Sequence, residues 1–561
     1  MTPRWSATER CEALECAERE GVDLLVVGGG ITGAGVLRDA ASRGLRALLV
    51  ERRDFAAGTS SRSSKMIHGG LRYLGEGNLR LIREACRERD LLLAHNRHLV
   101  RPLPFVFPAY AGSKFPLWQV RAAMLAYSML ANFRPSARTR MLGSQEILRR
   151  VPGLRDAGLR GAGFYTDAQV DDVRLVLESL KSARRLGGEA VNHAEVYELT
   201  RGRDGRLSGA RVRDNLTRRS YVLNAGVVVN AAGPAVERVR GLDRPVERPE
   251  LRPAKGIHLV IPRARLPVEC AVLIEASDGR YVFVSPWEEV LLVGTTDDFS
   301  DEIDGPAVRI EEVHYLLSAV NAAFPRVCLT TNDLRSVFAG VRPLAASPSE
   351  ERPPSSVSRE DRIYRDPSGL ISVAGGKLTT YRAMGERIVD LALEELPAAR
   401  RGGLGPSRTA ELPLRDDGFD PIELESALAE RFAVAGWRAE YLVRTYGADA
   451  LTLFEEASAE LHEPVGASRY SYAEIPWAFR SECPASLCDL LERRLRMVIF
   501  AEGQGLLQLD RIAEVAAAAA GWDRARARAE ADAYREAVGS SYQIVSNACD
   551  GARKATRRSA A

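Results

Sequence analysis

One glycine-rich stretch near the start of the chain constrains the fold more than any other feature. The stretch 23–27, which is apolar from Leu24 onward, predicts a short buried strand, and three glycines at GxGxxG spacing, from Gly28 to Gly33, follow it directly. The pattern next predicts a helix that ends near Gly44 and a second strand closed by Glu51. Such a turn lets a pyrophosphate approach the backbone and the helix N-terminus, and the later acid suits a ribose. A glycine turn without a ligand would need none of these flanking elements. The dinucleotide contacts predicted here are Gly28, Gly30, Ile31, Thr32, Gly33 and Glu51.

Composition excludes several classes of protein. The length of 561 residues predicts two or three domains, and 45% hydrophobic with 27% charged residues is ordinary for a globular protein. Its 78 basic and 75 acidic residues give a net charge of +3, so nucleic acid is not an expected partner. The eight cysteines form no CxxC pair and no Cys/His group with metal spacing, which predicts reduced thiols and no metal site. We expect neither a signal peptide nor a membrane-spanning segment.

The order of predicted elements indicates the domain organisation. βαβ units come first, and the stretch 251–299 is typical of an antiparallel meander with strands over 257–261, 271–275, 281–285 and 290–294. The C-terminal part is helical throughout, and one helix there is predicted over 484–498. The predicted fold class is α/β (α+β), a Rossmann-type domain with an inserted antiparallel substrate sheet and an all-helical C-terminal domain. The predicted boundaries are 1–21 for an N-terminal extension, 22–396 for the nucleotide domain with its substrate sheet at 80–160 and 245–345, 397–414 for a linker, 415–545 for the helical domain and 546–561 for a basic tail.

Three features favour a flavin over a nicotinamide. The first glycine motif lies near the N-terminus, and a second glycine-rich strand-to-helix turn begins at Gly375. Between them a predicted strand runs into the turn 230–234, Asn-Ala-Ala-Gly-Pro. A bound flavin is long, so widely separated segments must converge on it. These three segments are the candidate flavin contacts.

Four cations in turn or glycine-rich contexts provide the next clue, namely Arg72, Arg342, Arg359 and Lys377. Arginine can bind phosphate with two parallel hydrogen bonds. A small phosphorylated substrate carries close to two negative charges, and holding it out of water without nearby cations would cost several kcal/mol. Any one of these residues could instead pair with a surface carboxylate. The four together favour a phosphorylated substrate.

Five segments together resemble the FAD-dependent glycerol-3-phosphate dehydrogenases, which are D-amino-acid-oxidase-like flavoproteins. These segments are 58–74 (GTSSRSSKMIHGGLRYL), 255–258 (KGIH), 294–297 (GTTD), 340–343 (GVRP) and 375–382 (GGKLTTYR). The first and last are far more specific than GxGxxG. The helical C-terminal third resembles the family's extra domain only loosely.

The resemblance implies FAD as cofactor and oxidation of sn-glycerol 3-phosphate to dihydroxyacetone phosphate by hydride transfer to the flavin. The C2 hydroxyl must lose its proton as the hydride leaves, and a neutral imidazole is a natural acceptor near physiological pH. His68 and His258 are both candidates, and the sequence does not choose between them. Arg342 is expected to stabilise the developing alkoxide or to hold phosphate. The implied substrate contacts are Arg72, Tyr73, Arg342, Arg359 and Lys377. The further implied cofactor contacts are Thr59, Ser60, Ser61, Ser64, Lys65, His68, Gly69, Gly70, Val196, Ala232, Gly233, Gly376, Lys377, Leu378 and Thr379.

The resemblance also implies a destination for the electrons. In the family the acceptor is usually membrane quinone, and the protein lies on the cytoplasmic side, peripheral on the inner face of the cell membrane. The apolar and aromatic stretch 114–134 suits an interfacial helix, although a core helix has the same composition. The basic tail would add attraction to a lipid surface. Quinone against oxygen as acceptor, and a homodimer against a monomer, stay open.

Two other functions fit part of the pattern. A related FAD oxidase that uses oxygen, or that acts on another small 2-hydroxy or amino acid, would need a carboxylate clamp and leaves the several cations unexplained. A flavin-binding scaffold without turnover would hold FAD that no phosphorylated triol reduces.

Overall fold

The computed structural model describes residues 4–71, 78–131, 138–247, 249–345, 360–415 and 418–544. Its helices are α1 (Ala7–Glu20), α2 (Ile31–Ser42), α3 (Leu79–His95), α4 (Leu117–Leu130), α5 (Ser144–Arg150), α6 (Asp172–Arg185), α7 (Val236–Asp243), α8 (Ile310–Ala323), α9 (Tyr381–Glu395), α10 (Ala398–Arg401), α11 (Pro421–Phe432), α12 (Gly436–Tyr446), α13 (Asp449–Glu456), α14 (Glu474–Ser481), α15 (Met497–Phe500), α16 (Leu509–Ala520) and α17 (Arg524–Ser541). Its strands are β1 (Val22–Val27), β2 (Ala47–Val50), β3 (Met66–Ile67), β4 (Val100–Tyr110), β5 (Arg140–Leu142), β6 (Leu159–Val170), β7 (Glu189–Val191), β8 (Ala194–Arg201), β9 (Leu207–Asp214), β10 (Ser220–Asn230), β11 (Leu251–Pro262), β12 (Ala271–Glu275), β13 (Tyr281–Trp287), β14 (Val290–Gly294), β15 (Asp298–Phe299), β16 (Ser336–Ala345), β17 (Arg362–Arg365) and β18 (Ile371–Ala374).

The first sheet is the nucleotide-type sheet that the glycine motif predicts. Its order is β17-β18-β10-β1-β2-β7, in which β17 alone of these runs antiparallel to its neighbour. The apolar run of β1 is buried because α2, α6 and α9 cover one face while α1, β8 and β9 cover the other. The carboxyl ends of β1, β2, β10 and β18 therefore meet at one edge, where ligands of open α/β sheets bind.

The second sheet contains the predicted meander. Its order is β15-β11-β14-β13-β12-β4-β6-β3, with β16 also paired to β11 and β5 to β6. β12 and β14 match the predicted ranges, whereas β11 and β13 extend beyond them. The side chains of β11 alternate between two cores. Ile257 and Leu259 pack with α8, while Val260 packs with the C-terminal helices.

The predicted fold class is confirmed, since a parallel nucleotide-type sheet, a mainly antiparallel second sheet and C-terminal helices are all present. The domain boundaries stay a prediction. The stretch 397–414, predicted as a linker, packs closely against the first sheet's helices. Arg38 of α2 donates to the carbonyl oxygens of Leu412 at 2.6 Å and Pro413 at 3.1 Å, and Leu414 is buried.

The helix predicted over 484–498 is wrong in its detail. A π-helical turn spans Asp489–Arg494, and Arg496 takes a left-handed conformation with φ of 60° before α15 begins. The apolar side chains that suggested the helix are buried as expected. A buried charge accounts for the difference, because Arg493 and Arg494 both donate to Asp54 at 2.6 Å. Two successive residues of a regular helix point in different directions, so they could not both reach one carboxylate so readily.

Candidate active site

The turn from Gly28 to Gly33, which we call the glycine cradle, lies at the carboxyl edge of the first sheet. Gly28 directly follows β1 with a φ of +117°. A Cβ atom on Gly33 would lie 1.9 Å from the carbonyl oxygen of Gly28, so no larger residue fits there. Gly30 is the N-cap residue of α2, and it has no side chain that could accept from the amides of the first turn. This end of α2, with Ile31 and Thr32 in its first turn, is thus shaped for an anion.

Glu51 supports the cradle from the end of β2. Its Oε2 accepts from the N–H of Gly29 at 2.7 Å, and its Oε1 accepts from the N–H of Arg53 at 2.9 Å. The carboxylate is partly exposed and stays a candidate for the ribose. Val196 lies in β8 beside a register shift, and it is mostly buried in the core on the far face of the sheet.

Two further strand ends reach the same edge. Ala232 and Gly233 follow β10, and the N–H of Ala232 donates to Oδ1 of Asn230 at 3.3 Å. Gly376 follows β18 with a φ of +93°, and a Cβ there would lie 2.3 Å from Cε of Met384. The segments expected to converge on a flavin therefore do converge. The turn after β18 also carries Lys377, Leu378 and Thr379.

The long loop between β2 and α3 joins the two sheets. Ser60 accepts from the N–H of Ile31 at 3.0 Å, and the hydroxyl of Thr59 donates to the carbonyl oxygen of Val341 in β16 at 2.5 Å. Ser61 is buried, and its hydroxyl donates to the carbonyl of Gly58 at 3.2 Å. The loop therefore contacts the N-terminus of α2, which packs on the first sheet, and β16 of the second sheet.

His258 of β11 lies on the face of the second sheet turned toward this loop. Its Nε2 lies 2.8 Å from Oγ of Ser64, and its ring stacks on Phe338 with centroids 4.9 Å apart. Burial, with the nearby charges of Lys65 and Arg342, lowers the pKa of His258 to about 3. The imidazole is therefore neutral at physiological pH. Its Nδ1 is buried and has no hydrogen-bond partner among the residues that the structure describes.

Lys65, within the loop, lies in a buried ion pair. Its ammonium is fully buried, lies 2.6 Å from Asp172 and donates to the carbonyl of Ser61 at 2.7 Å. Burial, with the nearby charge of Arg496, lowers the pKa of Lys65 to about 8 against the attraction of Asp172. A contact of Lys65 with the flavin phosphates or ring stays a prediction. The ammonium acts as a charge near His258.

Arg342 of β16 is held in a fixed orientation. Its guanidinium donates to Asp297 at 2.7 Å, to Oγ1 of Thr295 at 2.7 Å and to the carbonyl of Thr296 at 3.1 Å. A Cβ on Gly256 would lie 2.4 Å from Nη2 of Arg342, so the arginine crosses the neighbouring strand at a glycine. These contacts leave a rigid, partly exposed cation beside the loop.

The segment His68–Gly70 is tied to the second glycine turn. The N–H of His68 donates to Oγ1 of Thr379 at 3.1 Å, and the His68 side chain is only partly buried. Gly69 and Gly70 are buried, and Gly70 has a φ of +80°. His68 is thus part of the loop, whereas His258 of β11 contacts the loop at Ser64.

Three predicted substrate contacts, Arg72, Tyr73 and Arg359, lie outside the described residues. Their roles stay predictions. Of the cations singled out from sequence, the structure therefore places Arg342 beside the loop and Lys377 in the turn that contacts it.

One group of potential metal ligands, Asp54, His193 and Asp489, converges within the described ranges. Arg493 and Arg494 donate to Asp54 at 2.6 Å, and Nε2 of His193 lies 2.8 Å from Asp489. Burial acts to lower the pKa of His193, but Asp489 raises it above the ordinary value. Each carboxylate already has a cationic partner. We interpret the group as an ion-pair network that joins the loop after β2 to the C-terminal helices.

Comparisons with known proteins agree with this geometry. A family model described as "FAD dependent oxidoreductase" matches residues 23–391, and one described as "C-terminal domain of alpha-glycerophosphate oxidase" matches residues 407–527. The chain is 35% identical over 510 residues to the aerobic glycerol-3-phosphate dehydrogenase of Bacillus subtilis, covering 89% of this chain and 91% of that protein. The chain belongs to the FAD-dependent glycerol-3-phosphate dehydrogenase family.

Other members of the family point the same way. The aerobic glycerol-3-phosphate dehydrogenase of Staphylococcus aureus is 36% identical over 487 residues, covering 85% of this chain and 87% of that protein. The X-ray structure of the glycerol-3-phosphate dehydrogenase from Bacillus halodurans complexed with FAD is similar with a TM-score of 0.78 at 29% identity. It covers 95% of this chain and 97% of that one. The second family model matches residues 407–527, so the C-terminal third resembles the family's extra domain more closely than its sequence motifs indicate.

FAD is the cofactor of the family, and the residues of this chain fit it. A Cβ atom on Gly28 or Gly33 would lie 2.5 or 1.9 Å from a backbone oxygen, so this is the tight strand-to-helix turn that suits a dinucleotide pyrophosphate. Nδ1 of His258 is buried without a hydrogen-bond partner among the described residues, so it could take a polar group of a bound ligand. We expect the cradle and Ser60 to hold the diphosphate, and His68–Gly70 with Thr379 to line the flavin.

Sequence reasoning missed several supporting residues. Asp172 at the start of α6 pairs with Lys65, and Asp167 of β6 accepts from the N–H of Gly69 at 3.1 Å. Asp297 belongs to the segment 294–297, but the sequence does not indicate its pairing with Arg342.

Proposed function

We propose that the protein oxidises sn-glycerol 3-phosphate to dihydroxyacetone phosphate. The observation that carries the proposal is the pair formed by His258 and Arg342, a neutral buried imidazole and a fixed guanidinium on one face of the second sheet. A base and a cation at one site suit an alcohol that must lose a proton and an anionic group that must be held.

Arg342 binds the phosphoryl group or the developing alkoxide. Its orientation is set by Asp297 and Thr295, so little reorganisation is needed when the substrate arrives. Lys377, in the turn after β18, is the second described cation for the phosphate. Arg72, Tyr73 and Arg359 are the further contacts that we expect from the family motif.

His258 accepts the proton of the C2 hydroxyl. Its low pKa in the absence of substrate has burial as the largest cause and the charges of Lys65 and Arg342 as the others. A dianionic phosphate would offset those charges and raise the pKa of His258 toward the working range. The contact with Ser64 fixes the ring orientation. FAD, when bound, supplies the hydride acceptor.

We further propose membrane quinone as the electron acceptor and a peripheral position at a lipid surface. α4 buries Val120, Met124 and Tyr127, while its other face exposes Trp118 (68%), Leu125 (54%) and Met129 (50%). An apolar stripe of this kind suits the interfacial region of a bilayer. Of the helices that the structure describes, none combines the length and the hydrophobicity needed to cross a membrane.

A substrate panel tests the proposed reaction. Purified holoenzyme is assayed by dye reduction with glycerol 3-phosphate, glycerol, a 2-hydroxy acid and an amino acid. We expect turnover with glycerol 3-phosphate alone, because only this compound offers a phosphate to Arg342. Turnover with the acids but not with glycerol 3-phosphate would indicate the related oxidase instead, and no turnover with any would indicate a scaffold. Comparing a soluble quinone with oxygen identifies the acceptor.

A further inference from the structure

A buried hydrogen-bond network lies directly beneath the loop segment His68–Gly70. Asp167 of β6 is 2% exposed, and a single oxygen, Oδ1, accepts three hydrogen bonds. The donors are the N–H of Gly69 at 3.1 Å, Nη1 of Arg89 at 2.6 Å and the hydroxyl of Tyr127 at 2.6 Å. Arg89 belongs to α3 and Tyr127 to α4, so three elements meet under one backbone amide.

The network is rigid because its charges are paired out of water. Arg89 is fully buried, and its Nη1 also donates to the hydroxyl of Tyr127 at 2.9 Å. Its other nitrogens donate to Asp90 at 2.9 and 3.1 Å. A buried carboxylate that is paired with an arginine and accepts several hydrogen bonds has a well-defined position, and moving it would expose unpaired charge to an apolar core.

Gly69 packs directly against Tyr127 of this network, with no space for a side chain. A Cβ atom on Gly69 would lie 2.2 Å from the hydroxyl of Tyr127 and 2.5 Å from Sγ of Cys86. On the other side, the neighbouring N–H of His68 is held by Thr379 at 3.1 Å. The loop is therefore clamped between the second glycine turn above and the carboxylate below.

We propose that Asp167 is a positioning residue for the oxidation reaction. It fixes the amide of Gly69 and thereby sets where the loop presents His68 and Gly70 to flavin and substrate. This role rests on the proposed function. Asp167 itself touches neither the cradle nor His258, so its effect is on geometry, and misplacement of reacting groups by about 1 Å can slow a reaction about a hundredfold.

The test replaces Asp167 by Asn and uses Asp90→Asn as the matched control, because both changes remove one carboxylate partner of Arg89 and only the first touches Gly69. Anaerobic stopped-flow mixing with saturating glycerol 3-phosphate gives the limiting rate of flavin reduction. We expect Asp167→Asn to lower this rate by at least about tenfold and Asp90→Asn to change it less than about twofold. FAD content and the rate of reduction by dithionite should match in both variants, since neither depends on substrate alignment.

The outcomes are distinct. Equal limiting rates in Asp167→Asn and Asp90→Asn, with wild-type protein reduced by glycerol 3-phosphate, would overturn the positioning role alone. A wild-type flavin that glycerol 3-phosphate does not reduce would overturn the proposed function and this role with it. If Asp167→Asn yields no folded holoenzyme, Tyr127→Phe removes one hydrogen bond to Asp167 without stranding a charge. A limiting rate lowered by about threefold would then support the role, and a wild-type rate would overturn it.

Discussion

Nε2 of His258 lies 2.8 Å from Oγ of Ser64, so a strand of the second sheet and the loop after β2 meet at one hydrogen bond. Because Ser64 belongs to the same loop as Ser60, which contacts the glycine cradle, this bond links the expected base to the cofactor site. Loop, cradle and second sheet thus form one site from segments far apart in sequence.

Replacing His258 by Asn should remove the proton acceptor while leaving the cradle intact. We expect turnover with glycerol 3-phosphate to fall by at least about a hundredfold, with FAD content unchanged. His314→Asn, on the exposed side of α8, serves as the control and should keep wild-type turnover. Dye-reduction assays on both holoenzymes measure the effect, and near-normal turnover of the His258 variant would move the role to His68.

Folding stability should depend on pH through His258. The pKa of His258 is about 3 in the folded protein, against 6.5 for an ordinary histidine, so between these values the unfolded chain binds more protons. Stability should therefore fall as pH drops below 6.5, by up to about 1.4 kcal/mol per pH unit from this group. Urea unfolding of wild type and His258→Asn at pH 5 and pH 7 should show a smaller pH effect in the variant. Parallel losses would contradict the buried neutral imidazole.

Arg342→Ala should remove a cation that is already oriented toward the site. We expect kcat/KM to fall by the equivalent of about 2 to 3 kcal/mol in transition-state stabilisation. Asp297→Asn should have a smaller effect in the same direction, because Arg342 keeps its contacts with Thr295 and Thr296. Arg265→Ala, in a surface ion pair with Asp333, is the control. An unchanged kcat/KM for Arg342→Ala would remove Arg342 from the site.

Gly33→Ala should abolish FAD binding. The added Cβ would lie 1.9 Å from the carbonyl oxygen of Gly28, so the turn must open. Gly241→Ala in α7 meets no atom within 4 Å and should leave FAD content and thermal stability at or slightly above wild type. The flavin absorbance per polypeptide reports the difference. Full FAD content in Gly33→Ala would contradict the placement of the pyrophosphate.

Features set by residues close together in the sequence could be predicted, whereas contacts between distant residues could not. The cradle from Gly28 to Gly33 and the strands of the meander follow from local spacing, and they could be predicted. The pairing of Lys65 with Asp172 spans 107 residues, and that of Gly69 with Asp167 spans 98. Nothing local marks these aspartates as partners, because their neighbours form an ordinary strand end and helix start.

The interruption of the helix predicted over 484–498 has a related cause, namely a distant contact. The apolar spacing of this stretch is helical, and those side chains are buried. The spacing does not reveal that Arg493 and Arg494 must both reach Asp54, which lies more than 400 residues earlier. A tertiary ion pair there overrides the local helical preference.

Replacing Trp118, Leu125 and Met129 together by Ser should weaken binding to phospholipid vesicles. These side chains form the exposed stripe of α4 and take no part in its buried face, so dye-linked turnover should persist. Trp437→Ser, a 57% exposed tryptophan in α12, is the control. Cosedimentation with vesicles measures the effect. Vesicle binding unchanged by the triple replacement would exclude α4 as the membrane contact.

The most direct measurement is an anaerobic titration of the purified holoenzyme with glycerol 3-phosphate. Flavin absorbance should bleach, and dihydroxyacetone phosphate should form in a one-to-one ratio with reduced FAD, while glycerol without phosphate leaves the flavin oxidised. A flavin that stays oxidised with excess glycerol 3-phosphate, or that glycerol reduces equally well, would contradict a phosphate-binding oxidation site at Arg342 and His258.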